Sequence, residues 1–199
     1  MIDATVSRLE QNGFDVIRAE TADEALSLAK RFVTPDLLVG LGGSTSVAQI
    51  GLLEWLIQNS DITLYNQYEP GITMEENYER RRQGLLSDLY ITGCNAITHN
   101  GELVNADGDG NRVAAQIFGP RKVLLIVSTN KIVRDLDSAF ERIHTIAAPR
   151  NIERMNTRAI SFGKEPRYNE RNIANKFSWI DNDKPGRTTI ILVDEPLGF

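Results

Sequence analysis

Three short stretches of the sequence combine residue types that can hold or transform an anion. The first is Leu37-Leu-Val-Gly-Leu-Gly-Gly-Ser-Thr-Ser46, an apolar run that ends in glycines followed by hydroxyls. Glycines let the backbone approach a ligand closely, and the free amides at a helix start attract negative charge. Gly42, Gly43, Ser44 and Thr45 are therefore candidate contacts to a phosphate or carboxylate. The competing reading is a tight strand-to-helix turn with Ser44 or Thr45 as the N-cap. The stretch lacks the Lys-Ser/Thr ending of a P-loop and the glycine spacing of a dinucleotide fingerprint.

The second stretch is Asn105-Ala-Asp-Gly-Asp-Gly-Asn-Arg-Val113. Asp107 and Asp109 are candidate general bases or metal ligands, and Asn111 and Arg112 can grip a carboxylate or phosphate. A calcium loop is excluded by the missing later glutamate, and a solvated turn is the plainer alternative. The third is Ser128-Thr-Asn-Lys131, directly after an apolar run. In open α/β sheets ligands bind beyond the carboxyl ends of strands, which is where Asn130 and Lys131 would sit. Lys131 could clamp an anion or serve in acid/base work, whereas the alternative is helix capping with a solvated lysine. Arg80–Arg82 reads as a solvated helix face, Cys94 as a small buried thiol, and His99 and His144 as surface or capping residues. No His or Cys spacing matches a metal site, so neither metal nor cofactor is expected.

These stretches need elements to position them. Apolar patterning predicts helix over 3–11, strand over Phe14–Ala19, and a helix opened by the capping-box sequence Thr21-Ala-Asp-Glu24. Leu37–Leu41 is nearly all apolar, as in a parallel strand covered on both faces. A helix with Val47, Ile50, Leu53 and Ile57 facing inward should follow, then a strand over Ile62–Tyr65 and a helix capped by Thr73-Met-Glu-Glu76. Leu89–Thr92 and Val123–Val127 read as further strands. Asn100-Gly101 marks a hairpin between 95–98 and 102–105. Leu136, Ala139, Phe140, Ile143 and Ala147 make one helical face, and 151–159 is expected to be helical. The segment 161–187 reads as an irregular excursion, and Thr188–Val193 as a last strand. The sum is an α/β sheet with helices on both faces, interrupted by one antiparallel hairpin.

At 199 residues, 41% hydrophobic and 25% charged, the chain suits one domain spanning 1–199. A net charge of −5 argues against nucleic-acid or anionic-membrane binding, but not against a local anion pocket. One cysteine excludes an internal disulfide and fits a reducing cytoplasm. The first residues lack the apolar core of a signal peptide, and no segment has the ~20 apolar residues of a membrane span.

Several stretches in one order resemble a known family: Gly40-Leu-Gly-Gly-Ser-Thr-Ser-Val-Ala-Gln-Ile-Gly-Leu-Leu, Arg81-Arg-Gln-Gly-Leu-Leu-Ser-Asp, Thr92-Gly-Cys-Asn-Ala-Ile-Thr, Asp107-Gly-Asp-Gly-Asn-Arg-Val-Ala-Ala, Asn130-Lys-Ile-Val-Arg-Asp-Leu, Ala147-Ala-Pro-Arg-Asn and Leu192-Val-Asp-Glu-Pro-Leu-Gly. They resemble the LUD domain, the lactate-utilisation LutC/YkgG-like family, in its short form. The resemblance implies a NagB/RpiA/CoA-transferase-like fold with a mainly parallel sheet and a small antiparallel element. It further implies a role in lactate or organic-acid metabolism and an iron–sulfur redox protein as partner. Many short relatives carry a cysteine cluster where this chain has Ser161–Asn175 without one, so redox or metal chemistry of that cluster is not expected here. Gly40–Thr45 is also similar to the phosphate loop of ribose-5-phosphate isomerases, but Asp107, Asp109 and Lys131 do not align with the isomerase motifs. Three readings follow. The first is a protein, free or as a homodimer, that binds a small anionic metabolite through Gly42, Gly43, Ser44, Thr45, Asn95, Asn111, Arg112, Asn130 and Lys131. The others are an isomerase-like enzyme using Asp107, Asp109 and Lys131, and an interaction subunit of an iron–sulfur lactate-oxidising complex.

Overall fold

The apolar runs become the centre of the molecule. In a computed structural model that describes residues 1–161 and 163–199, six of them form one parallel sheet. Its strands are β1 (Asp15–Ala19), β2 (Leu38–Leu41), β3 (Thr63–Tyr65), β4 (Leu89–Thr92), β7 (Lys122–Ser128) and β10 (Thr188–Val193), in the order β1-β10-β7-β4-β2-β3. All four residues of β4 and all six of β10 are buried, the mark of strands covered on both faces. Alternation still decides which face each side chain serves. Leu124 and Ile126 join one core layer, whereas Val123, Leu125 and Val127 join the other. Each such side chain contributes about 1.5–3 kcal/mol by leaving water.

The first layer is closed by α2 (Ala22–Lys30), α3 (Thr45–Gln49) and α4 (Leu52–Gln58), and the second includes Leu9 from α1 (Ile2–Gln11). Thr21 caps α2 through the Glu24 amide, but Glu24 reaches back to the amide of Glu20, one residue before the cap. Thr73 and Glu76 form a complete capping box at α5 (Met74–Gly84). The helix expected after Gly43 is two helices. Gly51 adopts φ 77°, a left-handed conformation that costs glycine little, and the break resets the helical phase. Leu52 and Leu56 are consequently buried in place of Ile57, which is 48% exposed.

The expected hairpin, β5 (Ala96–Thr98) and β6 (Leu103–Asp107), belongs to a larger unit. With β8 (Ile132–Val133) and β9 (Lys176–Ile180) it makes a second sheet ordered β8-β5-β6-β9. The irregular excursion over 161–187 is thereby corrected. It contains α9 (Glu170–Ile173) and β9, which pairs antiparallel with β6 from Leu103–Ile180 to Asp107–Lys176. The pattern Lys-Phe-Ser-Trp-Ile hides β9, because Phe177 and Trp179 face outward and small Ser178 faces in. The remaining helices are α6 (Asn111–Ile117), α7 (Leu136–Arg142) and α8 (Ala148–Ser161), with a π-helical turn at Ile143–Ala147 joining the last two. Among the described residues, no helix is long and apolar enough to cross a membrane.

Candidate functional site

The carboxyl ends of three adjacent strands, β2, β4 and β7, open onto one cavity of about 1100 Å³. After β2 come Gly43, Ser44 and Thr45; after β4, Gly93, Cys94 and Asn95; after β7, Lys131. The loop behind β3 adds Tyr68, the turn from β6 into α6 adds Asp107, Asp109, Asn111 and Arg112, and α8 forms a further wall. A switch between two sheets thus brings the three sequence stretches to one place, as expected for open α/β folds.

Two of the predicted contacts fall elsewhere. Asn130 is exposed and is not part of the cavity wall; its amide donates to Ser128 Oγ at 3.3 Å, so a capped turn is its role. Gly42 lies behind the wall. A Cβ there would stand 2.4 Å from Thr92 Oγ1 and 2.9 Å from Arg112 Cγ, so glycine is required by packing. Ser44 caps α3 through the Val47 amide at 3.3 Å, and Gly43 lies beside the Tyr68 hydroxyl. Asn95 is scaffold as well as wall. Its Oδ1 accepts from the Ala106 amide at 3.0 Å, while Asn105 Oδ1 accepts from the Asn95 amide at 3.1 Å. Asn111 donates to the buried Tyr90 hydroxyl at 3.3 Å, and burial pushes that phenol well above its usual range.

The acidic candidates are already occupied. Asp107 accepts the Gly108 amide on one oxygen and the Arg112 amide on the other, at 3.0 and 2.9 Å, and lies 3.6 Å from Arg112 Nε. That arrangement closes the turn into α6. Asp109 is paired with Arg81 and its side chain is 67% exposed. Arg81 itself is 17% exposed and faces the cavity, so the expectation of a solvated Arg80–Arg82 face holds for Arg82 but not for Arg81.

Lys131 differs from both. It is 4% exposed, and its ammonium donates to Ser46 Oγ at 3.1 Å. No ion pair among the described residues includes Lys131. Burial, with lesser contributions from the like charges of Arg142 and Arg112, lowers its pKa to about 8. The neighbouring Cys94 thiol donates to the Ala96 carbonyl at 3.1 Å, and burial pushes its pKa up. Cys94 is accordingly a buried thiol, as its surroundings predict.

Four guanidinium groups act on the half-buried Tyr68 phenol: Arg154, Arg158, Arg112 and Arg81. Burial raises the phenol's pKa against their combined effect. Arg158 stacks on the Tyr68 ring at 5.3 Å. Arg154 is held by Asn151 Oδ1, 3.2 Å from Nε and 2.6 Å from one terminal nitrogen, and no ion pair among the described residues includes it. Burial lowers its pKa. Among the described residues, seven cationic side chains border the cavity against four side-chain carboxylates, in a chain whose net charge is −5. Sequence reasoning overlooked Tyr68, Arg154 and Arg158. The available signal was the i, i+3, i+7 spacing of Asn151, Arg154 and Arg158, which puts polar groups on the α8 face that also carries Ala148 and Met155.

The chain is similar over 96% of its length, and 95% of the other, to the crystal structure of a DUF162 family protein from Deinococcus radiodurans, with TM-score 0.52 and 15% identity. It is also similar to ribose 5 phosphate isomerase A from Neisseria gonorrhoeae, with TM-score 0.37 and 18% identity over 68% of this chain and 67% of that one. No curated protein matches the chain. A model of the LUD domain matches residues 2–193, and the chain belongs to the LUD domain family.

Proposed function

We propose that the chain binds a small anionic metabolite in this cavity, as a protein of lactate-type or other organic-acid metabolism. The observation that carries the reading is Lys131, a buried cation at the cavity floor whose hydrogen bond goes to a neutral hydroxyl. Buried charges are ordinarily paired, because an unpaired one costs several kcal/mol in the folded state. A ligand carboxylate or phosphate would supply the missing charge to Lys131, and the arginines around Tyr68 would extend the positive field to its other end. Ser44 and Thr45 add hydroxyls at the same wall.

This reading is favoured over proton abstraction by Asp107 or Asp109, since both oxygens of Asp107 accept backbone amides and Asp109 is spent on Arg81. A thermal-shift panel of hydroxy acids, 2-oxo acids, sugar phosphates, nucleotides and CoA esters tests it. A ligand at 100 times its Kd stabilises by about 2.7 kcal/mol, or roughly 5–10 °C for a chain of this size. The expected result is a shift from an anion that disappears in Lys131→Met; no shift from any anion contradicts the reading.

A further inference from the structure

We propose that the Lys131 amine is a nucleophile that condenses with the carbonyl group of an anionic aldehyde, ketone or 2-oxo acid held in the cavity. The inference rests on the anion-binding reading and adds the substrate's reactive group. Lys131 is buried although no ion pair among the described residues includes it. Its hydrogen bond goes to Ser46, itself 1% exposed, and it borders open cavity space. The groups beside it are Ser46 from α3 and the backbone of Gly198, and those acting on its charge are Cys94 from the turn after β4, Arg142 from α7 and Arg112 from α6. None of them is a carboxylate.

Arg142 is committed to the Asn95 carbonyl at 2.7 Å, so its charge stands as a fixed repulsion behind the lysine. Desolvation and cationic neighbours are the two conditions that activate a lysine for imine formation. With a pKa of about 8, Lys131 presents at pH 7 on the order of 300 times more free amine than an ordinary lysine. The thiol beside it is the weaker candidate, because burial raises the Cys94 pKa and the thiol is spent on Ala96.

The reaction balances without a further reagent. The nitrogen lone pair attacks the carbonyl carbon, a C–N bond forms, and the proton leaving nitrogen goes to the former carbonyl oxygen. Loss of water from the carbinolamine breaks the C–O bond and gives the imine. Ser46 Oγ, 3.1 Å from the nitrogen, is placed to carry that proton. The anion that draws protonated Lys131 into a pair would pass to Arg112 and Arg154, which frees the amine for the carbonyl carbon.

Reductive trapping tests the proposal on the whole chain. Glyoxylate, pyruvate and glycolaldehyde phosphate are each added with sodium cyanoborohydride, and the product is read by intact mass and peptide mapping. The expected result is one adduct, on Lys131, that saturates with probe concentration, is slowed by inorganic phosphate, and is lost in Lys131→Met. At sub-saturating probe its rate should rise through pH about 8, the value of the free protein, and not near 10.5. Labelling spread over exposed lysines, unchanged in Lys131→Met, overturns the proposal. If lactate or glycerol 3-phosphate binds saturably while no adduct forms, the nucleophile is wrong and the anion site stands. If neither binds and no adduct forms, both readings fail.

Discussion

Two cationic side chains in this protein, one half-buried and one buried, have opposite surroundings. Arg187, 15% exposed, donates to Asp183 Oδ2 at 2.9 Å and to the carbonyls of Gln116 and Ala115 at 2.8 and 3.0 Å, while Thr188 donates to the same Asp183 oxygen at 2.6 Å. Its charge is neutralised by a carboxylate, and it ties the end of α6 to the start of β10. Lys131 is more deeply buried, with a hydroxyl as its partner and cations as neighbours. The first arrangement is complete as it stands and serves the fold. The second is electrostatically incomplete, and it faces a cavity. That contrast separates structural charge from charge kept for a ligand more cleanly than residue type does.

Breaking the complete arrangement should have the largest effect. Arg187→Ala removes the half-buried ion pair with Asp183 and two charged hydrogen bonds to carbonyls, and should cost about 3–5 kcal/mol in chemical denaturation while leaving anion affinity unchanged in the protein that remains folded. Breaking the incomplete one should act the other way round. Lys131→Met should weaken the anion by about 1.5–3 kcal/mol in calorimetry, the worth of a charge-assisted hydrogen bond. It should raise stability at pH 7 by about 2 kcal/mol, since the removed desolvation cost outweighs the lost hydrogen bond.

The pH dependence sharpens the comparison. The folded-state pKa of Lys131, about 8, lies below its unfolded value of 10.5. Between those values the unfolded chain binds more protons, so this group makes stability rise with pH through the window, with a slope of up to ~1.4 kcal/mol per unit. The difference in stability between wild type and Lys131→Met, followed from pH 7.5 to 10, isolates that slope from other titrating groups. A flat difference would remove the lysine's buried, unpaired state. The smallest effect is expected at Asp109, whose pair with Arg81 is largely solvated. Asp109→Asn should shift stability by under about 1 kcal/mol in thermal melts.

The contrast between Arg187 and Lys131 also marks what the sequence could show. The parallel strands were legible because Leu89–Thr92 and Val123–Val127 are apolar without alternation, and only a sheet covered on both faces explains that. The strand-end rule pointed to Lys131 but placed Asn130 with it, since sequence adjacency does not say which side chain a short 3₁₀ turn aims inward. Strand β9 was hidden because Phe177 and Trp179 are on its exposed side, reversing the usual pattern. Arg154 and Arg158 were overlooked because a helical arginine reads as solvated unless the opposing loop, here with Tyr68, is known to cover it. Pairing across 80 residues or more, as between Lys131 and Ser46, leaves no local signal at all.

If Lys131 is a buried cation awaiting an anion, binding must move a proton, and proton-linked calorimetry reads that proton. Inorganic phosphate, or the best anion of the panel, is titrated at pH 9 in two buffers of different ionisation enthalpy. Uptake of a proton on binding, approaching one per site, is expected, with its loss in Lys131→Met, because the anion raises a pKa that lies at about 8 in the free protein. Binding with the same heat in both buffers, or equal affinity in Lys131→Met, would contradict it.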